Sequence, residues 1–340
     1  MEFVARLLRV APGAPLEMIL ELHSVRHAAV LATLVLSAML FCPPAVSAAE
    51  FPGRPVPQDS NPLSEVDVTA SKLDERELNS VAMKFVASHA AVDPALHQMS
   101  RWRAGICPSV TGLTASADAF VMSRVEEVAR SVGAGRRGAD PKCEVNVQIV
   151  FTTEPQKLVD HIANAYPVLL GASRSAGDTA ISRAIQPWYL TGTASPGGFQ
   201  PSAESADATL NLALVGPVNG SGNQPSGTTG SYFTKGLTSE LRHVLVIVDR
   251  GKVATLSVRA IADYVAMLSL THMGSLDACG ELPSIIDLLS SGCGERGKPT
   301  SLTNADTAYL KALYSSNRET NLNLEQAEMR DRMIKTIQGK

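Results

Sequence analysis

Hydrolytic zinc chemistry needs two or three imidazoles aimed at one point. The pattern H-E-x-x-H supplies two of them on one helical face, with a carboxylate to activate water. No histidine of this chain is followed by Glu. His23 and His27 have the i, i+4 spacing, but they stand against an apolar run near the start. His89, His97, His161, His243 and His272 are scattered, and His243, just ahead of a second apolar run, reads as a partly buried structural histidine. Serine nucleophiles have no visible setting either, since the chain contains no G-x-S-x-G elbow and no S-x-x-K. The segment 216–231 is rich in Gly, Ser and Pro, yet no Lys-Ser or Lys-Thr follows it and it opens no helix. It therefore fails as a phosphate cradle and reads as a solvated surface loop, the tip of a hairpin.

Cysteine is the other residue type with chemistry of its own. Of five cysteines, Cys42 lies in the N-terminal segment, leaving Cys107, Cys143, Cys279 and Cys293. No C-x-x-C occurs, and His272 to Cys279 is not a recognised ligand spacing. An even number in an exported chain points to disulfides, and four cysteines allow three pairings. The pairing Cys107–Cys143 with Cys279–Cys293 is favoured because each pair encloses a compact local unit. Loops of this size stabilise by about 3 kcal/mol each in the chain-entropy view.

The export argument comes from residues 1–48. Arg26 and His27 form a positive edge, Ala28 to Phe41 is apolar and uncharged, and Pro43-Pro44 breaks the run. Val46-Ser47-Ala48 then places small residues where a signal peptidase needs them. The apolar run is short for a membrane span, which takes about 20 residues, so the segment reads as a cleaved signal peptide. Met18 offers an alternative start with a conventional short n-region. The net charge is −3 and stays at −3 without the segment, because three Arg and three Glu leave together. Apart from Arg136-Arg137 no basic cluster remains, which argues against nucleic acid as a partner.

The elements that would position any site follow from periodicity. Residues 49–62 are Pro-rich and polar, a flexible lead-in to a single domain over 63–340. A short strand is expected at Val66–Thr69 and a helix from Leu73 to Ala90. Cys107-Pro108 opens a strand. Ser116 is expected to cap a helix Ala117–Val132 with the stripe Phe120, Val121, Val125, Val128 and Val132, ended by Gly133. Val145 to Phe151 reads as a strand with one buried face, tied to the preceding strand by the Cys107–Cys143 bridge. Thr153 is expected to cap a helix with Pro155 in its first turn and Leu158, Ile162 and Leu169 on one side. Further strands are expected at Ile185–Thr193, Ala208–Val215 and Val244–Val248. Helices follow at Arg259–Leu270, Pro283–Leu289 and Thr303–Tyr314, with a largely exposed helix from Leu324. Aromatics are 5% of the chain, so the core must rest on aliphatic residues. Mixed helices and strands without strict alternation indicate an α+β fold.

The last third resembles an uncharacterised family of exported bacterial proteins with a zincin-like, metallopeptidase-related fold. The matching stretches are Ile261-Ala262-Asp263-Tyr264-Val265-Ala266-Met267-Leu268, then Leu282-Pro283-Ser284-Ile285-Ile286, then Leu302-Thr303-Asn304-Ala305-Asp306 through Leu313-Tyr314. The resemblance implies that Ala262 and Ala266 stand where a peptidase would carry two ligating histidines, with Asp263 at the acid/base position. Methyl groups cannot bind zinc, so the implied core is degenerate, with no metal and no cofactor. The expected role is non-catalytic binding or assembly in the cell envelope, with an envelope or extracellular protein, or a small ligand, as partner. The alternative is a secreted hydrolase with an unrecognised site. Asp263, His272, Trp188 and Tyr189 are the candidate pocket residues, and the periplasm or the medium is the expected location.

Overall fold

The computed structural model describes residues 74–94, 96–103, 105–135, 143–171, 179–194, 238–277, 279–290, 292, 293 and 298–339. The expected signal peptide, the lead-in, the strands at 66–69 and 208–215 and the polar loop 216–231 lie outside these residues.

The first helix, α1 (Glu75–His89), starts at Asp74, whose side chain accepts the Glu77 N–H, and it buries Leu78, Val81, Phe85 and Val86 on one face. Next come β1 (Pro108–Thr111) and α2 (Ala115–Val132). The cap of α2 is Thr114, not the expected Ser116. The Thr114 hydroxyl accepts from Ala117 N–H at 3.4 Å, and Ser116 only reaches back to that hydroxyl at 3.2 Å. Gly133 ends α2 in the left-handed region at φ 83°, where a Cβ would be strained. Val121, Val125, Val128 and Val132 are buried as expected, but Phe120 is 42% exposed. It lies on the flank of the helix that faces solvent.

β2 (Val147–Thr152) is buried on both faces rather than one. The reason is its place in the sheet. The strand order is β1-β2-β4-β3, with β2 parallel to both neighbours. Such central parallel strands are covered on both sides. The helix α3 (Pro155–Ala165) follows, with Pro155 at its start. Its cap position is Glu154, which makes no side-chain capping bond, and its buried residues are Val159 and Ile162. Leu158 and Leu169 are only partly covered. A 3₁₀ turn at Pro167–Leu170 leads toward β3 (Ile185–Ala194), which pairs antiparallel with β4 (Thr238–Asp249) at the sheet edge.

Side-chain alternation along these strands separates two layers. Val147, Ile149, Phe151, Val244, Val246, Val248 and Ile185 point into the main core, shared with α1, α2 and the helices that follow β4. Val150, Leu245, Ile247 and Trp188 are buried outside that cluster, on the face covered by α3 and the 3₁₀ turn.

The chain then forms α4 (Val258–Leu270), a 3₁₀ turn (Ile285–Leu288), α5 (Asn304–Ser315) and α6 (Leu322–Ile337). α6 starts two residues earlier than expected and is not a largely exposed helix, since it buries Glu325, Met329, Met333 and Ile334. The fold is α+β, with a mixed four-stranded sheet among the described residues. Disulfides join Cys107 to Cys143 and Cys279 to Cys293. No helix of the described residues is long and apolar enough to cross a membrane. The disulfides are compatible with an exported protein.

Candidate functional site

α4 is the helix on which the functional question turns. Ser257 caps it by accepting Ala260 N–H at 3.1 Å, and every residue from Ala260 to Leu270 is buried. The helix has almost no polar face because it lies between the sheet, α2 and the 3₁₀ turn at Ile285–Leu288. Ala262 and Ala266, one turn apart, are both fully buried. Asp263 is equally buried, and its charge is matched. Oδ1 accepts Arg124 Nε–H from α2 at 2.5 Å, and Oδ2 accepts the Leu302 N–H at 2.9 Å. Burial opposes the Arg124 charge, but hydrogen bonds to Asp263 and Glu127 outweigh it and hold the guanidinium pKa above its ordinary value. Asp263 therefore works as a brace between α2, α4 and the segment leading into α5.

Leu282–Ile286 and Leu302–Asp306 meet at Asp306, while α4 reaches the second of them through Asp263 and Leu302. Thr303 and Asp306 form a reciprocal capping box at the start of α5. Asp306 Oδ2 accepts Thr303 N–H and Thr303 Oγ1–H, each at 2.9 Å, and Ile285 N–H at 2.8 Å. Its Oδ1 accepts Ser284 Oγ–H at 2.6 Å. Burial pushes the Asp306 carboxyl up to about 6, against the pull of these donors. Ser284 in turn caps the 3₁₀ turn together with Asp287. Ser284-Ile285 and Thr303–Asp306 are thus halves of one polar knot.

Of the four candidate pocket residues, the structure brings together two. The Tyr189 and His272 rings stand 4.5 Å apart at 42°. Burial lowers the His272 pKa, with Asp93 pulling the other way, and His272 Nδ1 is buried with no hydrogen-bond partner. Burial also raises the Tyr189 phenol, whose hydroxyl, like His272 Nδ1, is buried with no hydrogen-bond partner among the described residues. Trp188 is the neighbour of Tyr189 on β3 and so projects from the opposite sheet face, paired with Leu245 while Tyr189 pairs with Val244. Asp263 is committed to Arg124. No shared pocket is formed by the four.

Two features were not anticipated from sequence. Arg101 and Glu325 form an ion pair with both side chains 1% exposed. Arg101 also donates to the carbonyl of Leu313 and to Ser316 Oγ at 2.8 Å, and Glu325 Oε2 accepts Met99 N–H at 3.3 Å. Burial lowers the Arg101 pKa and raises that of Glu325, each charge countering the other's loss of water. The second feature is a cavity of about 300 Å³ between α1 and residues 279–282, lined by Val81, Phe85, Ser88, Cys279 and Leu282, with Lys84 and Glu281 also on its wall. Lys84 Nζ and Glu281 Oε1 pair there at 2.9 Å. Comparison with protein-family models, with curated proteins and with solved structures finds no match for this chain.

Proposed function

We propose that this chain is an exported, non-catalytic α+β domain with a degenerate zincin-like core, acting by binding or assembly in the cell envelope. The observation that carries the reading is α4. In the register implied by the resemblance, the two ligand positions are Ala262 and Ala266, both sealed in the core. The acid/base position is Asp263, whose two oxygens are taken up by Arg124 and Leu302. A general base must reach a substrate proton, and this carboxylate instead braces two helices. In that register the three positions are filled by core packing and by an ion pair, which supports a non-catalytic reading.

The test is metal analysis of the oxidised protein purified from the exported fraction, followed by a broad hydrolase screen. The expected result is a mature N-terminus near Ala49, no stoichiometric zinc, no turnover, and a melting temperature that chelator leaves unchanged, since no metal energy is coupled to folding. Stoichiometric zinc in the oxidised protein, or turnover that survives purification, overturns the reading.

A further inference from the structure

Among the described residues, the Cys279–Cys293 disulfide has a carboxylate neighbour that the Cys107–Cys143 disulfide lacks. Cys279 Sγ, Cys293 Sγ and one Asp287 carboxylate oxygen lie within 4.8 Å of one another, the one such group of three potential metal ligands among the described residues. The Asp287 carboxyl is held in place by the 3₁₀ turn, since its Oδ2 accepts Ser284 N–H at 2.9 Å. That bond turns Oδ1 toward Cys293 Sγ, 3.4 Å away. A disulfide sulfur has no proton to donate, so in the oxidised protein this approach is not a hydrogen bond. Ser290 Oγ lies 3.4 Å from Cys279 Sγ. Among the described residues, the polar contact of Cys107 Sγ is a backbone carbonyl, that of Cys143 at 3.2 Å.

We propose that reduction of Cys279–Cys293 creates a binding site for a thiophilic divalent cation such as Zn²⁺, with the two thiolates and Asp287 Oδ1 as ligands. Tetrahedral zinc, with its ordinary bond lengths, separates a sulfur from a carboxylate oxygen by about 3.6 Å and two sulfurs by about 3.8 Å. The Asp287–Cys293 separation of 3.4 Å is already close to the first value. A Cα–Cα distance of 5.1 Å lets the freed sulfurs part to the second. Ser290 Oγ–H is placed to donate to the Cys279 thiolate, the kind of outer contact that holds a ligand's orientation. The fourth position stays open to water or to a partner's side chain.

Opening the site takes two electrons. Cys279 is the exposed member of the pair and lines the cavity beside α1, so a dithiol reductant attacks Cys279 Sγ. The S–S bond breaks, Cys293 leaves with the electron pair and takes up a proton, and a mixed disulfide forms on Cys279. The reductant's second thiol then displaces Cys279, and the reductant departs as its own disulfide. The cation binds by displacing the two thiol protons to solvent. In the oxidised protein the ligands are bonded to each other and the site is closed, so this proposal and the absence of zinc from oxidised protein are separate claims.

The experiment titrates Co²⁺ into the full mature chain, oxidised and after phosphine reduction, and reads the visible tetrahedral band and the thiolate-to-cobalt charge-transfer band. Folding is followed in parallel by circular dichroism. Reduced protein is expected to take up one equivalent with both bands, and oxidised protein none. Cys279→Ser and Cys293→Ser should each weaken the charge-transfer band and the affinity. Asp287→Asn, which keeps an oxygen for the Ser284 cap, should lower affinity by about tenfold or more. The proposal is overturned if reduced, folded protein shows no charge-transfer band, or if reduction unfolds the chain. It is equally overturned if oxidised protein binds as well, or if the cysteine variants or Asp287→Asn bind like the parent.

Discussion

Glu325 and Asp306 are both sealed from water in the C-terminal helices, one facing a guanidinium and the other facing only neutral donors. Glu325 belongs to a long-range clamp, with Arg101 standing 224 residues away in sequence. Asp306 belongs to a short-range knot whose members all lie between Ser284 and Asp306. The difference lies in what the rest of the protein must supply. The clamp needs a second buried charge and exists only once the segment carrying Met99 and Arg101 is assembled with α5 and α6. The knot needs only backbone and hydroxyl protons, and its raised carboxyl pKa shows that burial still costs more than those donors return.

The sharpest way to break the comparison is a buried carboxylate with neither solution. Ala266→Glu places one in the centre of α4, where Ala266 is fully buried. Protonation relieves only part of the desolvation, and the larger side chain overpacks, so a loss of about 5 kcal/mol is expected in urea unfolding. A silent Ala266→Glu would mean that α4 is not the core it is described to be. Next in size is Glu325→Ala, which leaves Arg101 buried and unpaired and should cost about 3–5 kcal/mol. The double change Arg101→Met with Glu325→Leu should recover most of that loss, because an apolar pair removes both desolvation costs. No recovery in the double variant would show that the hydrogen bonds to Leu313 and Ser316, rather than the charge pair, carry the clamp.

Asp306→Ala should cost less, about 2–4 kcal/mol, since it orphans the Ser284, Ile285 and Thr303 donors without stranding a charge. Asp306→Asn should fall between it and the parent. The smallest effect expected is on pH dependence. Asp306 has a native pKa near 6, above its unfolded value. Its contribution is therefore fully present below about pH 4 and is lost as pH rises through 6. His89, buried on Phe85 and lowered to about 4 by burial, works the other way. Its unfolded form takes up the proton first, so stability is lost as pH falls from 6.5 toward 4. Replacing Asp306 by Asn should make acid destabilisation between pH 6 and 4 steeper than in the parent, by up to about 3 kcal/mol across the window. Parallel profiles for parent and variant would remove the assigned shift.

How much of this was legible in the sequence varies with range. The Thr303–Asp306 capping box, the Gly133 stop and the buried character of α4 are local patterns and could be read directly. The cysteine pairing followed from compactness along the chain. β2 looked half-buried because its alternation is real, but which strands flank it is a long-range fact. α6 looked exposed for a different reason. Its buried stripe is Glu325, Met329 and Met333 at four-residue spacing, and the glutamate at the first of these positions breaks the apolar period. Only its partner Arg101 explains why a carboxylate sits there. The same holds for Arg124 and Asp263, 139 residues apart. For Trp188 and Tyr189 the signal was present and pointed against a shared pocket, since adjacent strand residues face opposite sides.

The Cys107–Cys143 bridge closes a covalent ring around β1 and α2, while β2, the strand that β1 pairs with, begins just outside it. A chain stretched from its two ends would therefore pass force directly across the sulfur–sulfur bond. The chain between those cysteines, a sequence separation of 36 and an extended length of about 120 Å, would never bear load. The crossover helix and edge strand would then tear from β2 as one looped body, and the missing length would appear in a pulling trace only after reductant is added.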